Sequence, residues 1–241
     1  ARDASPPPWV PADAVQFTRL RLDGQKAWGA FESTMNEIAP DVLGFLVQSL
    51  ETAMKENDPA FSFSQYFANN LGDDFVTFQK APRELTPQAL NSPPAINLVA
   101  SPMPDKLFAA IKGVLLLLPP PLNTVEFRER EFLGKRIHSL MPPSVVALGA
   151  QVGSQGVMHF ASSGGYLAMA NDTAILEEFL RSGETRVRSL SEIAGWNLAV
   201  QQVGGGGGGL MGYQNEAETM RLLFALLKSP TNQTDAAFSL S

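Results

Sequence analysis

Two short glycine-containing segments, Leu133-Gly134-Lys135 and Ser162-Ser163-Gly164-Gly165, constrain the fold of this chain more than any other feature. Each separates two strand-like runs, and these are residues 124–132 with 136–141 and residues 158–161 with 166–170. Glycine turns of this length between such runs are typical of β-hairpins, whose strands are antiparallel. The sequence therefore predicts a sheet that is at least partly antiparallel.

Helical periodicity surrounds these strands. Asp23 can cap a helix whose apolar residues recur every three or four positions, from Trp28 to Ile38. A very apolar helix over residues 107–118 follows Pro104-Asp105 and ends before a triple proline. Ser189 and Glu192 form a capping-box pattern, which predicts a helix containing Ile193 and Trp196.

Together these elements predict an α+β fold, with an antiparallel or mixed β-sheet, helices packed mainly on one face and a preceding N-terminal helical stretch. The expected organisation is an extended Pro-rich lead-in at residues 1–14, one α+β domain at residues 15–230, and a tail or truncated following segment at residues 231–241. A subdivision into a helical part, residues 15–80, and a sheet part, residues 81–230, is an alternative.

Composition excludes several kinds of chemistry. The chain has no cysteine, which removes disulfides, thiolate nucleophiles and Cys-based metal sites. The net charge is −6, so nucleic acid is not an expected partner. The most apolar window, residues 107–118, is shorter than the roughly 20 residues that a membrane-spanning helix needs. No cofactor motif is recognised, because the six glycines at residues 204–209 precede a strand-like segment and not a helix.

His138 and His159 are the only histidines. They lie in strand-like segments that are predicted to be neighbours, so the two side chains could lie side by side. With a carboxylate such as Glu126 they would form a weak divalent-metal site. No residue spacing supports this site, and each histidine is compatible with an ordinary half-exposed strand position, so no metal site is assigned.

Carboxylates offer a second candidate chemistry. Asp73-Asp74 is the best acidic pair, but consecutive strand residues point to opposite faces and cannot readily share a proton. In the alternating segment of residues 126–131, Arg128 and Arg130 share one face, and Glu129 and Glu131 share the other. A solvated edge strand explains this alternation. No catalytic residue is assigned.

An apolar pocket is the third candidate. Aromatic and aliphatic residues at helical spacing could line it beneath the 107–118 helix, although such residues usually form core. The candidate pocket residues are Phe63, Phe67, Phe108, Ile111 and Leu115.

Four passages carry a family resemblance. They are Pro-Pro-Trp-Val-Pro-Ala-Asp-Ala at residues 7–14, Asn-Asn-Leu-Gly-Asp-Asp-Phe at 69–75, Gly-Lys-Arg-Ile-His at 134–138 and the strand, Ala-Asn-Asp and helix at 168–180. Their order resembles exported bacterial proteins grouped as a domain of unknown function. The resemblance implies a cofactorless α+β sheet and a periplasmic or cell-surface setting, and it transfers no site residue. Separately, the start at Ala1 and the strand-like residues 236–241 lead us to expect a piece of a longer precursor, without its targeting segment.

The leading functional prediction is a non-enzymatic, exported binding or scaffold module of a larger envelope protein. One alternative is a carrier of an apolar, lipid-like ligand in the pocket under the 107–118 helix. Another is a hydrolase whose site is built from distant carboxylates. A protein and an apolar small molecule thus both remain open as partners.

Overall fold

The computed structural model describes residues 3–119, 125–141 and 156–228. The strands are β1 (Ala14–Leu20), β2 (Phe75–Lys80), β3 (Ala95–Ala100), β4 (Glu126–Phe132), β5 (Lys135–Met141), β6 (Met158–Ser163), β7 (Tyr166–Ala170) and β8 (Leu210–Gln214). They form one sheet in the order β4-β5-β6-β7-β3-β2-β1-β8, and all neighbouring strands are antiparallel. The predicted α+β class with an antiparallel sheet is confirmed.

Both predicted hairpins are present. β4 and β5 are joined by Leu133 and Gly134, whose φ angles are 49° and 68°. β6 and β7 are joined by Gly164 and Gly165, with φ angles of 58° and 78°. Two consecutive residues with positive φ are the requirement of the hairpin turn that matches the twist of the flanking strands. Glycine occupies three of these four positions because it has no Cβ to clash there.

The helices are α1 (Gly24–Ile38), α2 (Val42–Lys55), α3 (Phe63–Tyr66), α4 (Pro87–Asn91), α5 (Pro104–Leu116), α6 (Thr173–Arg181), α7 (Trp196–Gln202) and α8 (Glu216–Leu227). Asp23 caps α1, as predicted, by accepting a hydrogen bond from the Lys26 amide. The capping-box prediction was wrong in extent. Ser189 opens only a single 3-10 turn, because Ile193 is extended and the helix starts again at Trp196.

Helices cover both faces of the sheet, as the alternation along β7 shows. Leu167 packs with Leu107 and Phe108 of α5, whereas its neighbour Ala168 packs with Leu176 of α6 on the opposite face. We call these the α5 face and the α6 face. The contacts of α2 and α3 are with α5, and α1 contacts α2. More helices are therefore stacked on the α5 side.

The Pro-rich lead-in is part of the domain. Ala4 and Val10 are fully buried in the core on the α6 face, and the ring of Trp9 packs against Phe78 and Phe179. The first regular element is β1, and α1 to α3 follow it in the chain before β2. The predicted helical stretch is thus inserted between two strands of the sheet.

One sheet contains strands from both parts of the alternative subdivision. β2 belongs to residues 15–80, yet it pairs with β3 from residues 81–230 as well as with β1. The predicted tail at residues 231–241 lies outside the described residues. No helix within the described ranges has the length and apolar character needed to cross a bilayer.

Candidate functional site

A cleft with a volume of about 570 Å³ lies at the β4 end of the sheet. Its lining residues are Arg128, Glu129, Arg130, Ser139, Met141, Val157 and His159. Ser139 is directly opposite His159 in the β5–β6 register, and its Oγ lies 2.9 Å from the His159 Nδ1. Ser139 lies two residues after Ile137 in β5, so the two side chains point to the same face of the sheet. Ile137 packs in the core on the α6 face, and the serine–histidine pair therefore lies on that face too.

The electrostatic surroundings favour a neutral His159. Burial lowers the pKa of the imidazole, and the Arg130 guanidinium lowers it further, whereas Asp172 acts in the opposite direction. A neutral ring nitrogen can accept the hydroxyl proton of Ser139 in a hydrogen bond. The cleft therefore contains an uncharged serine–histidine pair at neutral pH.

Two arginines border this pair, but each is neutralised. Arg128 Nε lies 2.9 Å from Glu126 Oε1, and Arg130 Nη2 lies 2.5 Å from Glu177 Oε1 of α6. The cleft thus offers hydrogen-bond donors without a net positive charge. Both arginines share one face, as predicted, and β4 is an edge strand, as predicted.

A serine nucleophile needs a base that a third group orients. Within the described ranges, the only hydrogen bond of the His159 ring is the one to Ser139 through Nδ1, so its other ring nitrogen has no orienting partner there. The arrangement can bind a small polar group by hydrogen bonds, and the described residues around it do not form the triad geometry of an acyl-transfer enzyme.

The two histidines are not brought together. His138 is paired with Phe160 and His159 with Ser139, so the imidazoles lie on opposite faces. His138 stacks on Phe108 at 4.4 Å and lies 3.1 Å from Glu129. In the described ranges, no three His, Asp or Glu residues are arranged to hold a metal ion.

Asp73 and Asp74 accept hydrogen bonds from different arginines, although Arg21 also lies 3.6 Å from Asp74. Asp74 accepts two hydrogen bonds from Arg19, at 2.8 and 2.6 Å, and one from the Tyr166 hydroxyl at 2.7 Å. Arg19 also donates to the Ser5 carbonyl, while Asp73 accepts from Arg21 at 3.2 Å. The Asp74 side chain is only 5% exposed.

Burial alone would raise the pKa of Asp74, but the bonds from Arg19 and Tyr166 outweigh it and hold the pKa below its ordinary value. Burial, together with the bond to Asp74, raises the pKa of Tyr166. The network connects β1, β2, β7 and the lead-in. Its ionised carboxylate is fully engaged by these donors, so its role is structural.

The five predicted pocket residues are divided between packed clusters. Phe63 and Phe67 stack at 5.0 Å beside Trp28 and the buried Leu50. Phe108 and Ile111 pack in the cluster beneath α5, and Leu115 of the same helix is half-buried. The interpretation of these rings as core, which the sequence also allowed, agrees with their contacts.

A second cleft, of about 350 Å³, lies between α7 and the edge strand β8. It is apolar, and the rings of Trp196 and Tyr213 lie 5.6 Å apart in its wall. The glycine run leads directly into β8, and the Gly206 carbonyl accepts a hydrogen bond from the Ala4 amide. Sequence reasoning missed this cleft because Trp196 and Tyr213 meet only through packing.

The α1–α2 hairpin carries a third surface. Its far end, from Phe31 to Leu46, leaves large apolar side chains in solvent, and we call this the hairpin tip. The exposed apolar residues of the tip are Phe31, Ile38, Val42, Phe45 and Leu46. The sequence indicated their helical periodicity, but not that they would face solvent.

No protein-family model, curated protein or solved structure matches this chain.

Proposed function

We propose that this chain is a non-enzymatic binding module of an exported envelope protein, and that the hairpin tip is its protein-binding surface. The observation that carries the proposal is the exposure of the tip. Ile38 is 74% exposed and Phe45 is 68% exposed. A contiguous set of exposed large apolar residues on a water-facing surface is typical of an interaction site.

Within the described ranges, the packing contacts of the hairpin lie at one end. At its base, Leu50 is buried with Phe61 and Phe63, and Trp28 packs on Phe63 and Phe67. Three residues, 39–41, connect α1 to α2, so the helices return side by side and their junction projects away from this anchor. The apolar faces of both helices therefore continue past the part of the domain that covers them.

Charge favours a protein over a membrane as the partner. Residues 27–54 contain Glu32, Glu37, Asp41 and Glu51 but no lysine or arginine. Membrane surfaces that contain anionic lipids attract basic segments and repel acidic ones. A complementary partner has an apolar groove with a basic rim.

The rival functions have less support from the described geometry. Four of the five residues that would line an apolar ligand site pack into two core clusters. Among the residues that the structure describes, no third group orients the base of the serine–histidine pair. The exported setting follows from the resemblance of residues 7–14 and 69–75 to exported bacterial proteins, and it is part of the proposal.

Site-specific photocrosslinking tests the proposal. A photoreactive phenylalanine at position 45, in the native cells, is expected to give discrete protein adducts. Ile38→Ser in the same chain should reduce their yield at least about tenfold, because it removes apolar area from the contact. Position 198, an exposed leucine on α7, provides the matched control for both the probe and a Leu198→Ser change.

Two results would contradict the proposal. One is the same adduct pattern from positions 45 and 198. The other is binding of the purified chain to anionic vesicles that Phe45→Ser abolishes, since a lipid surface would then be the occupant of the tip.

A further inference from the structure

The two edges of the sheet differ in a way that points to a second interaction surface, independent of the hairpin tip. Five of the seven residues of β4 are charged, and such charges prevent an edge from pairing with another strand. β8, with the sequence Leu-Met-Gly-Tyr-Gln, has no charge. We propose that β8 pairs antiparallel with β8 of a second copy of this chain, which continues the sheet across a two-fold axis.

The backbone of β8 is oriented for this pairing. The Gly209 carbonyl accepts from the Arg21 amide at 2.7 Å, and the Asn215 amide donates to the Val15 carbonyl at 2.8 Å. In an antiparallel pair, alternate residues exchange both bonds with the same neighbour, so the odd-numbered residues of β8 face β1. Leu210, Gly212 and Gln214 consequently direct their amides and carbonyls outward.

The outward-directed residues are also the accessible ones. Leu210, Gly212 and Gln214 are exposed, and Leu210 reaches 62%. Within the described ranges, β8 has a single strand neighbour, β1. An unpaired and uncharged edge is a template for another strand.

The strand is complementary to itself. With the two-fold axis at Gly212, that residue faces its own copy, and Leu210 faces Gln214. These are hydrogen-bonded pairs, because all three residues direct their backbone groups outward. Met211 then lies directly opposite Tyr213 of the second copy, on the α6 face.

The apolar cleft gives this register a further contact. Met211 and Tyr213 line it together with Trp196 and Val203, and Val203 is largely exposed. In the paired arrangement the cleft of one copy continues into the cleft of the other, so apolar surface of both copies is removed from water. An interface in which each copy contributes the same patch closes as a dimer.

The absence of charge favours a second copy over an extended peptide of another protein. Every residue of β8 meets its own copy without like-charge repulsion, and glycine at the axis allows close approach of the backbones. A different peptide would not be related to β8 by this two-fold symmetry.

A disulfide test exploits the cysteine-free chain. Gly212→Cys places one thiol from each copy at the axis, where a hydrogen-bonded pair has a Cα separation of about 5.5 Å, within the range of a disulfide. A Cβ at Gly212 has no neighbour within 4 Å, so the change fits the monomer. Mild oxidation should link most of this variant as a dimer, whereas Leu133→Cys at the exposed β4–β5 turn should stay monomeric.

Sedimentation equilibrium of the full chain gives the second test. A monomer–dimer equilibrium is expected, and Gly212→Pro should raise its dissociation constant at least about tenfold, because the dimer loses two amide donors. Gly212→Ala keeps the amide and should retain dimerisation. Circular dichroism checks that both variants are folded.

A chain that remains monomeric up to about 100 µM would overturn the proposal, as would a dimer that folded Gly212→Pro leaves unchanged. Phe45→Ser should not alter the dimer. The failure of this inference and the failure of the hairpin-tip proposal are thus separable.

Discussion

At the scale of single residues, Asp74 is the most consequential side chain. Its carboxylate is buried against the Arg19 guanidinium and the Tyr166 hydroxyl, and these partners lie 55 and 92 positions away in the chain. A buried ion pair contributes little net stability over an apolar pair, but removing one partner leaves the other charge buried and uncompensated.

We expect Asp74→Asn to lower the free energy of unfolding at pH 7 by about 3 kcal/mol. In the wild type, the folded pKa of Asp74 is below its ordinary value of 3.8. Its stabilising contribution is thus complete above that value and is lost as the pH falls through the folded pKa. In urea unfolding between neutral and acidic pH, the free energy of unfolding should fall less steeply with decreasing pH for the variant than for the wild type.

Asp73→Asn is the matched control. Asp73 forms a more exposed pair with Arg21, so a loss of less than about 1 kcal/mol is expected. Equal losses from the two variants would refute the structural role assigned to Asp74.

At the scale of elements, one glycine joins the helical insertion to the sheet. The Gly72 amide donates to the Ala100 carbonyl at the end of β3, and its carbonyl accepts from the Gly24 amide at the start of α1. A Cβ at Gly72 would lie 2.4 Å from the Ala100 carbonyl oxygen. Backbone atoms on that side cannot move aside without breaking these bonds.

Gly72→Ala should therefore destabilise the protein by about 2 kcal/mol, through overpacking. The same substitution at Gly29, in the exposed middle of α1, meets no atom within 4 Å. Gly29→Ala should stabilise the chain by about 0.5–1 kcal/mol, because alanine loses less backbone entropy in a helix. Thermal unfolding measures both, and effects of the same sign would show that the close approach at Gly72 is not a constraint.

At the scale of the whole molecule, the lead-in closes the core on the α6 face. Trp9 contacts the rings of Phe78, Tyr166 and Phe179, which come from β2, β7 and α6. The backbone of Ala12 donates to the Arg188 carbonyl, and Leu190 donates to Val10. A segment that the sequence indicated as an appendage thus fills space between distant elements.

Trp9→Ala is expected to cost about 3 kcal/mol, as is typical of large aromatic side chains removed from a core, and to shift the whole unfolding transition. Intrinsic fluorescence and far-ultraviolet circular dichroism should report the same lowered midpoint. Leu198→Ala, at an exposed position, should change stability by less than about 0.5 kcal/mol. An unaltered midpoint for Trp9→Ala would mean that the lead-in folds apart from the domain.

Structural features that depend only on residues a few positions apart could be predicted from the sequence. The positive-φ turn at Leu133-Gly134, the Asp23 cap and the apolar repeat of α1 were all predictable, because turn chemistry, capping and periodicity are local. The alternation in β4 likewise identified an edge strand. These features were sufficient for the α+β class and the antiparallel sheet.

Tertiary structure alone decided which of these elements meet. The register between β5 and β6 placed His138 and His159 on opposite faces, since a shift of one residue reverses every side chain. Strand order made β8 the second edge, and the position of the anchor left the hairpin tip in solvent. Both follow from burial of the most apolar area by residues far apart in the chain, so no local pattern could specify them.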